Sequence, residues 1–298
     1  MRARQVPVMR LSHTLLAVVL LGCATAQVVP ERPWRSSSDV LAQSAATDWR
    51  PLDPESTLYL ELATGRVVIE LAPAFAPAHV ARIRALVRSG LAMEVLRVQE
   101  NYVVQWAPTK DAPKLEQPLP AEYTRTVGDL PFFQLHDGDV YAPQVGWTLG
   151  FPVARDPQQG TTWLTHCYGM VGVGRDMPPD TGDSSELYAV SGHAPRHLDR
   201  NLAVVGRVVQ GMELLTTLPR GTEALGFYAK PEQRTAFKAV RLASDVTVTE
   251  RSNLEVLRTD TQTWADYVAA RRNRREGFFV DPTGRVELCN VAVAVRRR

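Results

Sequence analysis

Two apolar runs joined by a tight turn, the first of them alternating, limit the fold of this chain more than any other feature. Leu58-Tyr59-Leu60-Glu61-Leu62 and Arg66-Val67-Val68-Ile69-Glu70-Leu71 flank Thr64-Gly65, and this is the pattern of a β-hairpin. Pro77 then opens a helical pattern running to about Ser89, with Val80, Ile83, Leu86 and Val87 on one face and Gly90 ending it. Further strands are predicted at Val95–Gln99, Tyr102–Trp106, Met170–Gly174, Leu187–Val190, Ala203–Val209 and Lys238–Leu242, with a short helix over Met212–Leu218. Hairpin spacing with few helices predicts a mainly β fold, closed or sandwiched, with the helices as caps.

Both ends of the chain read differently. Arg2, Arg4 and Arg10 precede the apolar run Leu15–Gly22, which is too short for a permanent membrane span and is read as a signal peptide over residues 1–26. Ala24-Thr25-Ala26 offers cleavage before Gln27. Leu20-Leu21-Gly22-Cys23 instead has the form of a lipobox, which would lipidate Cys23. Either reading implies the periplasm, soluble or anchored to the envelope by that lipid, with no other membrane contact. Removing residues 1–26 takes three arginines and no acid, so 34 basic residues become 31 against 32 acidic ones. A nucleic-acid partner then has no electrostatic support.

Residues 27–54, with Ser36-Ser37-Ser38, Pro51 and Pro54, read as a flexible tether. A domain over 55–248 follows. Within it the periodic signal fades from about 108 to 160, and so long a structureless loop is unusual inside a compact domain. An insertion with some structure of its own, or a mobile lobe, is expected there. The tail 249–298 is expected to form a helix over Thr261–Arg274, then a hairpin of Phe278-Phe279-Val280 and Arg285–Leu288 around Asp281-Pro282-Thr283-Gly284. The basic run Arg271–Arg275 is read as complementing the dipole at the end of that helix. Cys167 and Cys289 are the pair left after export through the Ala-x-Ala site. In an oxidising compartment they are candidates for a disulfide, with two buried free thiols as the alternative.

Several chemistries find no motif: there is no G-x-S-x-G, no phosphate-binding loop and no H-E-x-x-H. Gly172-Val173-Gly174 lacks the third glycine and the helix of a nucleotide site. His193 and His197 are separated by Pro195, which argues against a helix aiming both at one metal. No metal and no cofactor are expected.

What the sequence does carry is an ordered set of four segments that match the motifs of one known family. Val95-Leu96-Arg97-Val98-Gln99-Glu100-Asn101-Tyr102-Val103-Val104-Gln105-Trp106 is similar to the family's F-H-R-x-x-x-x-F-x-x-Q-x-G. Gly169-Met170-Val171-Gly172-Val173-Gly174-Arg175 resembles G-x-x-S-M-A-N, and Ser185-Glu186-Leu187-Tyr188 resembles S-Q-F-F. His197-Leu198-Asp199-Arg200-Asn201-Leu202-Ala203-Val204-Val205-Gly206-Arg207-Val208 resembles W-L-D-x-x-H-x-V-F-G-x-V. Together these segments resemble the cyclophilin-type peptidyl-prolyl cis/trans isomerases, and the match covers roughly residues 57–107 and 165–245.

The resemblance implies a closed eight-stranded antiparallel barrel with capping helices, the mid-chain insertion and a C-terminal αβ extension. It implies Arg97 and Gln105 as the catalytic pair, with Tyr102, Val103, Gly174, Arg175, Glu186, Tyr188, His197 and Leu198 binding substrate. Glu186 stands where the family has glutamine, Arg175 for asparagine, Leu202 for histidine and His197 for tryptophan. The implied activity is X–Pro isomerisation in proline-containing segments of exported polypeptides. The rival is a non-catalytic prolyl-peptide-binding or chaperone-like module on a degenerate barrel, and a third reading is a structural envelope lipoprotein.

Overall fold

A computed structural model describes residues 34–110 and 118–298; the expected signal peptide over residues 1–26, with Cys23, lies outside the described residues. In chain order the elements are α1 (Ser37–Ala42), β1 (Trp49–Pro51), β2 (Thr57–Leu62), β3 (Gly65–Leu71), α2 (Pro77–Arg88), β4 (Met93–Val98) and β5 (Val103–Pro108). The middle of the chain adds β6 (Arg125–Thr126), β7 (Phe133–Leu135), β8 (Gln144–Thr148), β9 (Phe151–Asp156), β10 (Thr161–Leu164), β11 (Met170–Val173) and β12 (Leu187–Val190). Then follow β13 (Val204–Gln210), α3 (Met212–Thr216), β14 (Thr235–Ala236), β15 (Ala239–Leu242), β16 (Leu254–Leu257), α4 (Gln262–Arg272) and β17 (Val295–Arg297).

Nine of these strands form one antiparallel sheet in the order β14-β4-β5-β12-β11-β13-β3-β2-β15. The sheet is curled and open, not the closed eight-stranded barrel expected. Its two edges, β14 and β15, are successive lengths of chain, one paired with β4 and the other with β2. They continue one another along the chain and share no ladder, so the circle of hydrogen bonds is not completed between them. Strand periodicity reports which residues face inward but not which strands pair at the edges, and the closure expectation fails on that point.

Both faces of β2 and β3 are covered. Leu58, Leu60, Leu62, Val67, Ile69 and Leu71 point into a core shared with Val80, Ile83 and Val87 of α2 and with Trp106 and Phe237. Their alternates Tyr59 and Val68 point the other way, into a second core built from Trp147, Trp163 and Trp264. A strand buried on both sides reads as a nearly continuous apolar run, and β2 and β3 do so. Each large side chain fully buried in this way contributes about 1.5–3 kcal/mol.

The second core takes in the segments that the sequence left vague. The insertion contains a five-stranded sheet in the order β6-β10-β9-β8-β7. Its strands of two to six residues, broken by glycine and proline, are too short for a clear period. The expected tether is ordered wherever it is described, from residue 34 on. Ser36 caps α1 in a reciprocal box with Asp39, Trp49 and Leu52 are buried, and β1 joins β16 and β17 in a three-stranded sheet. The Ser- and Pro-rich composition there marks caps and 3₁₀ turns, not linker. The hairpin expected at 278–288 is absent from the described residues: Phe278 and Val280 are 87% and 100% exposed, and the strand lies later, in β17. Cys167 and Cys289 are joined in a disulfide with Cα atoms 5.0 Å apart, pinning this extension to the segment that enters β11.

Candidate functional site

The site is a row of residues facing one way across four neighbouring strands. An irregularity in the ladder between Val95 and Arg97 brings Arg97 opposite Gln105; such a bulge re-aims the side chain that follows it. Gln105 in turn stands opposite Tyr188 in β12, and Tyr188 opposite Gly172 in β11. Directly opposed residues share a face of the sheet, so Arg97, Gln105 and Tyr188 are presented side by side. The fourth position must be small. A Cβ at Gly172 would lie 2.3 Å from the Tyr188 hydroxyl, so the ring of Tyr188 occupies the space that a side chain would need.

Arg97 is half-buried and held from three directions. Its Nη1 donates to Gln105 Oε1 at 2.9 Å, its Nε to the carbonyl of Leu225 at 2.6 Å, and its Nη2 to Gln99 Oε1. The guanidinium also lies 5.3 Å from the ring centroid of Phe227 and 5.8 Å from that of Tyr102, where the ring faces favour a cation. Burial lowers the arginine's pKa, offset in part by Tyr102 and Glu186, but a guanidinium stays charged in proteins. Each Nη keeps a second N–H for a ligand. Gln105 is buried, and its Nε2 donates to Glu186 Oε1.

Beside this polar row, Val103, Tyr188 and Val190 form a small apolar cluster against which Tyr102 and Leu202 pack. Arg97, Gln105, Tyr102, Val103 and Tyr188 line a cavity of about 130 Å³, completed by Gly174, Arg175, Glu186, Leu198 and Leu202. The structure thus brings nine of the ten sequence-predicted substrate and catalytic positions together. His197 is the exception: it is exposed on a 3₁₀ turn and lines no part of the cavity. Arg175 turns its Nε and Nη2 to the carbonyl of Asn201 at 3.1 and 2.9 Å, pinning the loop that leaves β11.

Sequence reading missed the residues behind the wall. His166 is fully buried and joins Tyr188 to Asp199. Nothing in Thr165-His166-Cys167 marks it, and only the pairing of β11 with β12 sets it behind Tyr188. Asp199 lies within the quoted His197–Val208 segment but draws no notice there, because its partners are distant in sequence. The Leu225 carbonyl that holds Arg97 could not be foreseen either, since it belongs to a loop without motif.

Comparison with known proteins decides the family. Residues 57–241, more than half of the chain, match the model for "Cyclophilin type peptidyl-prolyl cis-trans isomerase/CLD". The chain belongs to the cyclophilin family. It is 30% identical over 174 residues to a probable peptidyl-prolyl cis-trans isomerase of Brucella suis biovar 1 (strain 1330), covering 58% of this chain and 76% of that one. A protein of the same description from Brucella melitensis biotype 1 matches equally. Among solved structures it is similar to cyclophilin AquaCyp293 from Hirschia baltica, with a TM-score of 0.65 and 25% identity over 88% of this chain and 98% of that one. That coverage reaches beyond residues 57–241, so the likeness includes part of the flanking elements.

In this cyclophilin the carboxyl of Glu186 sits where the resemblance puts a glutamine amide. Burial raises its pKa above the ordinary carboxylate range, Asp176 and Asp183 push the same way, and Arg97 opposes them. A carboxyl whose folded pKa is raised binds more protons folded than unfolded. Its burden on stability is absent below the ordinary glutamate value and grows as pH rises to the raised value. Glu186→Gln is therefore expected to stabilise the protein at neutral pH and to remove that part of the slope. Urea denaturation of both proteins at several pH values between 4 and 8 checks it; equal stabilities throughout would contradict it.

Proposed function

We propose that this cyclophilin catalyses cis/trans isomerisation of X–Pro bonds in exported polypeptides, in the periplasm and without a cofactor. The observation that carries the reading is Arg97, held by three hydrogen bonds beside Gln105, in a cavity of about 130 Å³ whose apolar side is formed by Tyr102, Val103, Tyr188, Leu198 and Leu202. Rotation about the X–Pro bond is opposed by amide resonance, with a barrier of ~18–20 kcal/mol, and takes tens of seconds unaided. No bond breaks, so the catalyst must favour the twisted state over both planar isomers. An Nη of Arg97 donates to the prolyl nitrogen as its lone pair localises. Gln105 holds the peptide backbone after exchanging its bond to Glu186, and Tyr102, Val103, Tyr188, Leu198 and Leu202 receive the pyrrolidine ring. Excluding water removes the hydrogen bonds that favour the planar, charge-separated amide.

The compartment is supported by the basic and apolar start of the chain and by the Cys167–Cys289 bridge, which suits an oxidising environment. A lipid on Cys23 would place the protein at the envelope. Fractionation with mass spectrometry of the mature N-terminus separates a lipidated Cys23 from a free Gln27. The second reading, a non-catalytic prolyl-peptide binder, is favoured by the bond that already occupies the Gln105 amide. A protease-coupled assay with an Ala-Ala-Pro-Phe substrate divides the two. The enzyme shortens the slow phase in proportion to its concentration, whereas a binder saturates with peptide and leaves the phase unchanged.

A further inference from the structure

We propose that His166 is a positioning residue for this isomerase site, holding the proline-facing wall in place through Tyr188; the inference rests on the isomerase reading above. The Tyr188 hydroxyl and His166 Nε2 are 2.8 Å apart, and His166 Nδ1 is 2.9 Å from Asp199 Oδ1. That same carboxylate oxygen accepts the backbone N–H of His166 at 2.9 Å. An ionised carboxylate can only accept, so Nδ1 carries a proton, and in the tautomer that places it there Nε2 accepts the O–H of Tyr188. Beyond Asp199 the chain of contacts continues. Arg196 Nε donates to Asp199 Oδ2 at 2.6 Å, and its two Nη groups reach Asp139 at 3.0 and 3.2 Å. Asp139 belongs to the insertion, between β7 and β8.

Three features tie this buried relay to the cavity. Tyr188 is at once its first member and a wall of the cavity. The family segments quoted above have phenylalanine at that position and serine at Gly172, and here both are changed together. The added hydroxyl has room because residue 172 lacks a side chain, and it has a partner because His166 stands behind it. Finally, the rings of His166 and Tyr188 are nearly parallel, at 11°, so the hydrogen bond at the far end of the tyrosine fixes the tilt of the face that meets proline. A wall held by hydrogen bonds behind it keeps the seat that the prolyl ring needs in both the planar and the twisted amide. The relay also gives the insertion a part in the site, since it anchors the end of the chain that starts at the pocket.

The test is a cycle of variants assayed on Ala-Ala-Pro-Phe at a temperature well below the melting point of each. His166→Leu is expected to raise KM by about ten-fold, with a smaller change in kcat, because its loss frees the wall to move. Tyr188→Phe removes the hydroxyl that needs a partner, so adding it to His166→Leu should recover most of the loss instead of compounding it. His166→Gln, whose Oε1 can still accept from Tyr188, should recover most of the loss as well, and it serves if His166→Leu does not fold. Variants that melt earlier but keep the wild-type KM and kcat would overturn the proposal and leave His166 a structural residue only. So would effects of His166→Leu and Tyr188→Phe that simply multiply. If the wild type binds the peptide without turning it over, the isomerase reading fails, and the same coupling is then read in peptide affinity by NMR titration. A wild type that neither binds nor turns over the peptide overturns both.

Discussion

Asp199→Ala is expected to destabilise the protein by roughly 3–5 kcal/mol. The carboxylate is buried together with Arg196 and His166 and accepts from both. Its removal leaves the Arg196 guanidinium in the interior with Asp139 as its remaining close partner, and the Nδ1–H and backbone N–H of His166 with none. Breaking a buried ion pair from one side is costly because the surviving charge keeps its desolvation penalty. The same carboxyl predicts acid sensitivity. Burial alone would raise its pKa, but the hydrogen bond from His166 and the charge of Arg196 outweigh burial and hold it below the ordinary aspartate value. A depressed carboxyl gives stability that is full above the unfolded pKa, about 3.9, and is lost as pH falls through the folded value. Urea denaturation at pH 7 and at pH 3 should show the wild type losing part of this contribution once the pH is below about 3.9, and Asp199→Ala, which lacks the carboxyl, showing no such loss. A change below 1 kcal/mol at pH 7 would mean that the network is not held as the contacts indicate.

Replacing both Cys167 and Cys289 by serine is expected to cost about 2–4 kcal/mol. The bridge spans 122 residues, and closing so long a loop removes much freedom from the unfolded chain, for which chain-entropy arguments allow close to 5 kcal/mol. The lower figure is appropriate because the extension is also held by packing. Trp264, Tyr267, Val268, Leu288 and Val291 share a core with Trp147 and Trp49, and β16 pairs with both β1 and β17. The double variant should therefore fold, with a lower midpoint in guanidinium, and the oxidised wild type should fall to the same midpoint when reduced. Equal midpoints for all three would show that the bridge adds nothing.

The sequence made the site more legible than the frame around it. Arg97, Gln105, Tyr102 and Val103 lie within nine residues of one another, so local spacing alone aligns them with a hairpin and a bulge. Tyr188 and Glu186 follow because β12 is a short, unbroken apolar run. The closure of the sheet was not legible, since it turns on whether β14 and β15 pair, and their residues carry no mark of partner. Nor was the relay behind Tyr188. His166, Asp199 and Asp139 are separated by 27 to 60 positions and meet only when the insertion folds onto the nine-stranded sheet. The extension misled for a related reason. Phe278 and Val280 carry strand propensity, but no neighbouring strand is there to use it, and propensity yields to context.

The most direct measurement is the isomerisation rate of Arg97→Ala against wild type on Ala-Ala-Pro-Phe, followed by NMR exchange at equilibrium so that binding and turnover are read together. The proposed mechanism puts the Arg97 cation at the reacting amide, and its neighbours Gln105, Gln99 and Leu225 are held by their own strands and loops. The variant is therefore expected to keep the wild-type circular dichroism and lose at least ten-fold in kcat/KM, which corresponds to ~1.4 kcal/mol of transition-state stabilisation. A folded Arg97→Ala protein with undiminished kcat/KM would contradict the account, because turnover would then arise from groups other than the row that defines the site.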